Sequence, residues 1–128
     1  MSHLFDTQIL LWAVYDQKRL SARARHILSD PEVETYFSAV SVLEVAIKTV
    51  RGRPDFQIDA AEFAVFLRQA GFVEIDVTSA HASKFAEVPV LHKDPFDRLL
   101  IAQAMAEDMV LVSADKTIAK YPGNILRV

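Results

Sequence analysis

Asp94-Pro95-Phe96-Asp97-Arg98-Leu99-Leu100-Ile101-Ala102-Gln103-Ala104, followed shortly by Met109-Val110-Leu111-Val112-Ser113, is the stretch that decides the fold. An acid before a proline, with a second acid three positions after the first, is a helix start. Asp94 supplies the N-cap, Pro95 needs no N–H at the first helical position, and Asp97 complements the helix dipole. The residues behind them are mostly apolar, so the helix is expected to be central. Met109–Ser113 is uncharged and β-prone, a strand that this helix delivers.

The same alternation extends outward in both directions. His3–Phe5 reads as a first strand, and Ile9-Leu10-Leu11-Trp12-Ala13-Val14 as a helix apolar nearly all round. Ser21 is an N-cap for an Arg-rich amphipathic helix that stops before Asp30-Pro31. Thr35–Ser38 is the second strand. Ser41-Val42-Leu43-Glu44 has the form of a capping box opening a helix to about Val50. Asp59 starts a helix that Gly71 closes, Val73–Val77 is the third strand, and Thr78 caps a helix ending near Pro89. Asp115 starts a short helix, and Ile125–Val128 is a fifth strand. Strands separated by helices predict a three-layer α/β/α sandwich around a mainly parallel five-stranded sheet.

Length and composition bound the function. The 128 residues fit one domain, expected to span 1–128. With 52% apolar and 24% charged residues the balance is globular, and the absence of cysteine excludes disulfide scaffolds, thiolate zinc sites and cysteine nucleophiles. A net charge of −3 is not that of a protein holding nucleic acid by bulk positive charge, although a cation in an acidic pocket can supply that attraction. Apolar stretches such as Thr7–Tyr15 fall short of the ~18–20 residues that cross a bilayer, and the N-terminus lacks a secretory pattern. A soluble, cytoplasmic protein with no membrane partner is expected.

In a parallel sheet, function gathers at the carboxyl ends of the strands. Asp6 follows the first strand, Glu44 lies in the first turn of the helix after the second, and Asp115 follows the fourth. Asp97 begins the helix leading into the fourth strand, so it returns to the same edge. Each acid alone can be read as a cap. Capping, however, does not require one side of the sheet, and four ionised carboxylates in one cleft repel unless protons or a cation neutralise them. Oxygen-only ligands select hard ions, Mg²⁺ (or Mn²⁺), over zinc.

Four ordered blocks then carry a family likeness: Leu4-Phe5-Asp6-Thr7-Gln8-Ile9-Leu10-Leu11-Trp12, Ser41–Lys48, His92–Ala102 and Leu111–Asp115. Together they resemble the signature blocks of PIN-domain ribonucleases, more narrowly the VapC-type toxins of toxin–antitoxin pairs. The resemblance spans essentially the whole chain. It implies that Asp6, Glu44, Asp97 and Asp115 form a catalytic, metal-binding quartet, with Asp6 and Asp97 as direct ligands and Glu44 and Asp115 binding a second ion or ordering waters. Thr7 and Ser113 match the family's hydroxyl positions as supporting residues. Gln8 stands where many relatives have His, and Ser113 where Thr is commoner. The implied activity is hydrolysis of RNA to a 5′-phosphate and a 3′-hydroxyl. The implied partners are RNA, a cognate antitoxin and a second copy in a homodimer.

Other residues stay open at this stage. Asp94 is most simply an N-cap, with a supporting role as the alternative. Lys48, Lys93, Arg98 and Lys116 are candidate substrate contacts, as are Arg51 and Arg53, against a default of solvated rim. His92 reads as a loop hydrogen-bonding residue, and Trp12 as core rather than a base-stacking platform. Phe63, Phe66, Phe72 and Phe85 suit either core or an interface. A haloacid-dehalogenase phosphatase would need a second Asp two residues after the first, where Gln8 stands. A receiver domain would need an acidic pair there and a lysine ending the last strand. A non-catalytic PIN-like scaffold binding RNA or protein is the remaining alternative, and such scaffolds typically lose an acid, whereas all four are present.

Overall fold

A computed structural model describes all 128 residues. Five strands, β1 (Ser2–Phe5), β2 (Glu34–Ser38), β3 (Val73–Ile75), β4 (Val110–Ser113) and β5 (Ile125–Arg127), form one parallel sheet in the order β3-β2-β1-β4-β5. Six helices join them: α1 (Thr7–Tyr15), α2 (Ala22–Ser29), α3 (Ala39–Val50), α4 (Ala60–Gln69), α5 (Ser79–Lys84) and α6 (Pro95–Glu107). The third, fourth and fifth strands are shorter than their apolar runs suggest. No helix is long and apolar enough to cross a membrane.

Alternation along the strands divides the core in two. Phe5, Phe37, Val110 and Val112 meet α1, α2 and α4 on one face, through Ile9, Leu10, Ala24, Ile27, Phe63 and Leu67. Leu4 and Leu111 meet α6 on the other, through Leu100, Ile101 and Ala104. The expected α/β/α sandwich is therefore observed. Phe63 and Phe72 belong to the core, Phe85 packs partly buried against it, and Phe66 is exposed.

Local signals account for most boundaries. Ser21, Asp59, Thr78 and Asp94 each accept backbone N–H bonds as N-caps. Gly71, just past α4, has φ +97°, a backbone conformation that disfavours side chains. One expectation is overturned. The N-cap of α3 is Ser38, whose hydroxyl accepts the Val40 N–H, so Ser41 is inside the helix and Glu44 in its second turn. Ser41 and Glu44 are buried, and no capping box forms because both side chains face inward to polar partners.

Gln103 ties the layers together. It is fully buried, accepts the Ser38 hydroxyl hydrogen at 2.6 Å, and donates to the Asp76 carbonyl and His81 Nδ1. His81 Nδ1 also accepts the Thr78 N–H, so Nε2 carries the hydrogen and donates to Glu107 at 2.7 Å. Gln103→Leu keeps the volume but leaves the hydrogen of the buried Ser38 hydroxyl without its acceptor. The expected cost is about 1–3 kcal/mol, read as a lower urea midpoint at unchanged m-value; an unchanged midpoint would mean the network contributes nothing.

Candidate metal centre

The strand order places a winding reversal between β1 and β4: the chain fills one side with β2 and β3, then returns to fill the other. Crevices of open α/β sheets form at such a point, outside the carboxyl ends of the strands. Asp6 directly follows β1, and Ser113 ends β4. A cleft of about 290 Å³ opens there, lined by Asp6, Glu44, Asp97, Asp115 and Asp94 among others. All four acids singled out in the sequence thus share one cleft.

Asp6 is 4% exposed and doubles as the N-cap of α1. One carboxylate oxygen accepts the Ile9 N–H at 3.0 Å, and the other accepts a short hydrogen bond from the Ser113 hydroxyl, whose oxygen in turn accepts the Asp115 N–H. Burial raises the Asp6 pKa to about 6; the charges of Asp115 and Glu44 push the same way, while the Ser113 and Ile9 bonds pull it down. Ser113→Ala removes the stronger of those two bonds. The Asp6 carboxyl should then titrate about one pH unit higher in a ¹³C NMR titration of metal-free protein. An unmoved midpoint would mean that the Ser113 hydroxyl does not stabilise the Asp6 carboxylate.

Glu44 accepts the Thr7 hydroxyl hydrogen at 2.8 Å and pairs with Lys48 at 3.0 Å. A hydroxyl has one hydrogen, so Thr7 donates to Glu44 and accepts from Ser41, 2.9 Å away. Asp97 is half-buried, and its carboxylate meets His92 Nε2 at 3.1 Å. His92 Nδ1 lies 2.8 Å from the Tyr121 hydroxyl, which also accepts the Leu91 and His92 N–H groups. With Nε2–H donating to Asp97, Nδ1 is left to accept the tyrosine hydrogen. Burial, then the charge of Asp94, lifts Asp97 to about 7; the His92 bond opposes this, and the charges of Glu44 and Asp6 add to it. Asp115 is exposed and accepts the Thr117 and Ile118 N–H groups.

The donor set fits a hard divalent cation. Every candidate ligand is a carboxylate, and the pKa values of two of them are raised by burial and by neighbouring carboxylate charges, a penalty that a cation removes. In the arrangement described, no three acidic or histidine side chains are grouped closely enough to grip one ion, so the carboxylates would have to turn toward it.

The remaining candidates separate. Asp94 caps α6 by accepting the Phe96 and Asp97 N–H groups while also lining the cleft. Lys48 lines it too, whereas Lys93 and Arg51 line an adjoining hollow that shares Glu44, Lys48 and Asp94. Arg53 pairs with Asp55, and Lys116 is exposed outside the cleft lining. Arg98 points elsewhere: its guanidinium lies 4.4 Å from the centre of the Phe85 ring and donates to the Val88 carbonyl. Trp12 is half-buried: it packs against the core, as its spacing suggested, and also lines the cleft. The part played by Tyr121 has no signal in sequence, since it joins His92 across 29 positions.

Comparison with known proteins agrees with this architecture. A family model described as PIN domain matches residues 4–124. No curated protein matches the chain. Among solved structures, VapBC2 from Rickettsia felis, bound to a DNA fragment from its promoter, superposes with a TM-score of 0.72 at 13% identity, covering 100% of this chain and 99% of that one. FitAcB from Neisseria gonorrhoeae gives 0.57 at 16% identity, covering 98% and 96%. At such identities the likeness is one of fold.

Proposed function

The chain belongs to the PIN-domain family, and from that premise we propose that it is a Mg²⁺- or Mn²⁺-dependent endoribonuclease, the toxin of a toxin–antitoxin pair. The observation that carries this reading is the convergence of Asp6, Glu44, Asp97 and Asp115, from four separate segments, on one cleft at the winding reversal of the sheet. Capping alone gives no reason for that convergence. The fold likeness to VapBC2 and FitAcB supports an antitoxin as protein partner. A homodimer and a cytoplasmic location complete the proposal.

Asp6 and Asp97 are the direct ligands, and Glu44 and Asp115 hold a second ion or order water. When bound, the cation supplies charge neutralisation at the phosphodiester and activation of water for attack at phosphorus. The chain's own residues prepare that chemistry. Ser113 and Ile9 engage both oxygens of Asp6, Thr7 and Lys48 engage those of Glu44, and His92 engages Asp97 with Tyr121 behind it, so that each acid is held at the cleft, from where it would turn to the cation. Near neutral pH Asp6 and Asp97 hold protons part of the time, and their release frees oxygen lone pairs for the cation. Lys48, with Lys93 and Arg51 beside it, offers positive charge to the substrate backbone.

The test is incubation of wild-type protein with a broad pool of structured RNAs in Mg²⁺, in Mn²⁺ and in EDTA. Cutting confined to the metal-containing reactions, leaving 5′-phosphate ends, is expected. Intact RNA throughout, with metal present, would overturn the enzymatic reading.

A further inference from the structure

One wall of the acidic cleft has no use in metal chemistry. Gln8, Leu11 and Trp12, at helical spacing i, i+3 and i+4, present one face of α1 to the cleft, and Ile118 and Ala114 adjoin them. Leu11 and Ile118 are almost fully covered, at 7% and 1% exposure, which leaves the half-buried Trp12 as the large aromatic surface among the cleft-lining residues. Lys48, also in the lining, is continuous with the hollow that holds Lys93 and Arg51. Flat apolar surface and positive charge therefore both border the carboxylates. A polynucleotide carries the complementary pair, a flat base and an anionic phosphate on each residue.

We propose that the Trp12 indole is a stacking platform for a nucleobase of single-stranded RNA next to the scissile phosphate, with the neighbouring phosphates running toward Lys48, Lys93 and Arg51. The proposal rests on the nuclease reading and deepens it. The acids then set where the chain is cut, and Trp12 selects for substrate whose bases are unpaired, because a base inside a duplex cannot offer its face. Stacking accepts any base, so Trp12 sets single-strandedness and binding strength rather than a sequence.

Trp12 is the sole tryptophan of the chain, so its emission reports this wall alone. Wild type in EDTA, and the Asp6→Asn variant in Mg²⁺ as a second background, are titrated with a short fluorescein-labelled single-stranded RNA and with its abasic counterpart. Anisotropy follows binding, and tryptophan emission follows stacking. The expected result is saturable quenching that tracks the anisotropy for RNA and is absent for the abasic chain. Trp12→Ala should weaken binding about 5- to 150-fold, while Trp12→Phe retains most of it. In active protein, Trp12→Ala should raise KM more than it lowers kcat. The emission experiment needs no substitution at Trp12, so a misfolded alanine variant leaves the test intact. RNA that binds without quenching would overturn the platform and leave the nuclease reading standing. RNA that neither binds in either background nor is cut by metal-loaded wild type would overturn both.

Discussion

Replacing Asp6 by Asn is expected to reduce metal-dependent RNA cleavage by about two to three orders of magnitude or more, which corresponds to about 3–4 kcal/mol of lost transition-state stabilisation. Asparagine keeps the shape and can still accept the Ile9 N–H that caps α1, so far-ultraviolet circular dichroism should not change. It removes the negative charge that the cation needs, together with one source of repulsion on Asp97. Two further readings follow from the same substitution. Without metal, at pH 8, the variant should be more stable than wild type by about 1–3 kcal/mol, since a buried charge has been deleted. With saturating Mg²⁺ that order should shrink or reverse, because only the wild type gains from the ion. A variant that cuts RNA at the wild-type rate would remove Asp6 from the centre.

Metal-free protein should be more stable at pH 5 than at pH 8. Asp6 and Asp97 are raised to about 6 and about 7, whereas an unfolded chain titrates aspartate near ~3.9. Between those limits the folded state holds more protons than the unfolded one, so unfolding free energy falls as pH rises. The stabilisation is complete below about 4 and gone above about 7. From pH 8 to pH 5 it amounts to about 2–4 kcal/mol; the two sites do not add fully, because Asp6 is among the charges that raise Asp97. Urea unfolding in EDTA at the two pH values measures it. Added Mg²⁺ should act in the opposite sense, adding about 2.7 kcal/mol at a concentration one hundred times its Kd at pH 8, and less at pH 5 where protons compete for the same oxygens. Metal-free protein that is no more stable at pH 5 would mean that these carboxylates are not held under strain of charge.

How much of this was legible in the sequence depended on whether a feature had a local cause. Helix starts at Ser21, Asp59, Thr78 and Asp94 were readable because a cap acts within three residues of itself. The parallel sheet was readable because buried strands are apolar on both faces. At Ser38 and Ser41 two hydroxyls competed for one cap. Their partners decided between them: Ser38 accepts the Val40 N–H, Ser41 turns toward Thr7, and Glu44 moves into the second turn, where a carboxylate serves no cap. Arg98 looked like rim because a helix position does not say which way it faces until the core is known, and its face lies against Phe85. Trp12 does pack against the core, and helical spacing could not show that it also borders the cleft. The hold of His92 and Tyr121 on Asp97 was hidden because only the three-dimensional path of the chain brings residues 92 and 121 together.

The buried Ser38–Gln103 bond joins the start of α3 to the middle of α6, the two helices that carry Glu44 and Asp97, while Asp6 follows β1 and Ser113 ends its neighbour β4. The spacing of the chemistry is therefore written into elements that cannot drift independently. The segment 52–59 and the outlying α4 and β3 bear no share of it. Lineages descending from such a protein are free to lengthen, recharge or replace those outer parts, and so to change what approaches the cleft, without disturbing how its acids are spaced.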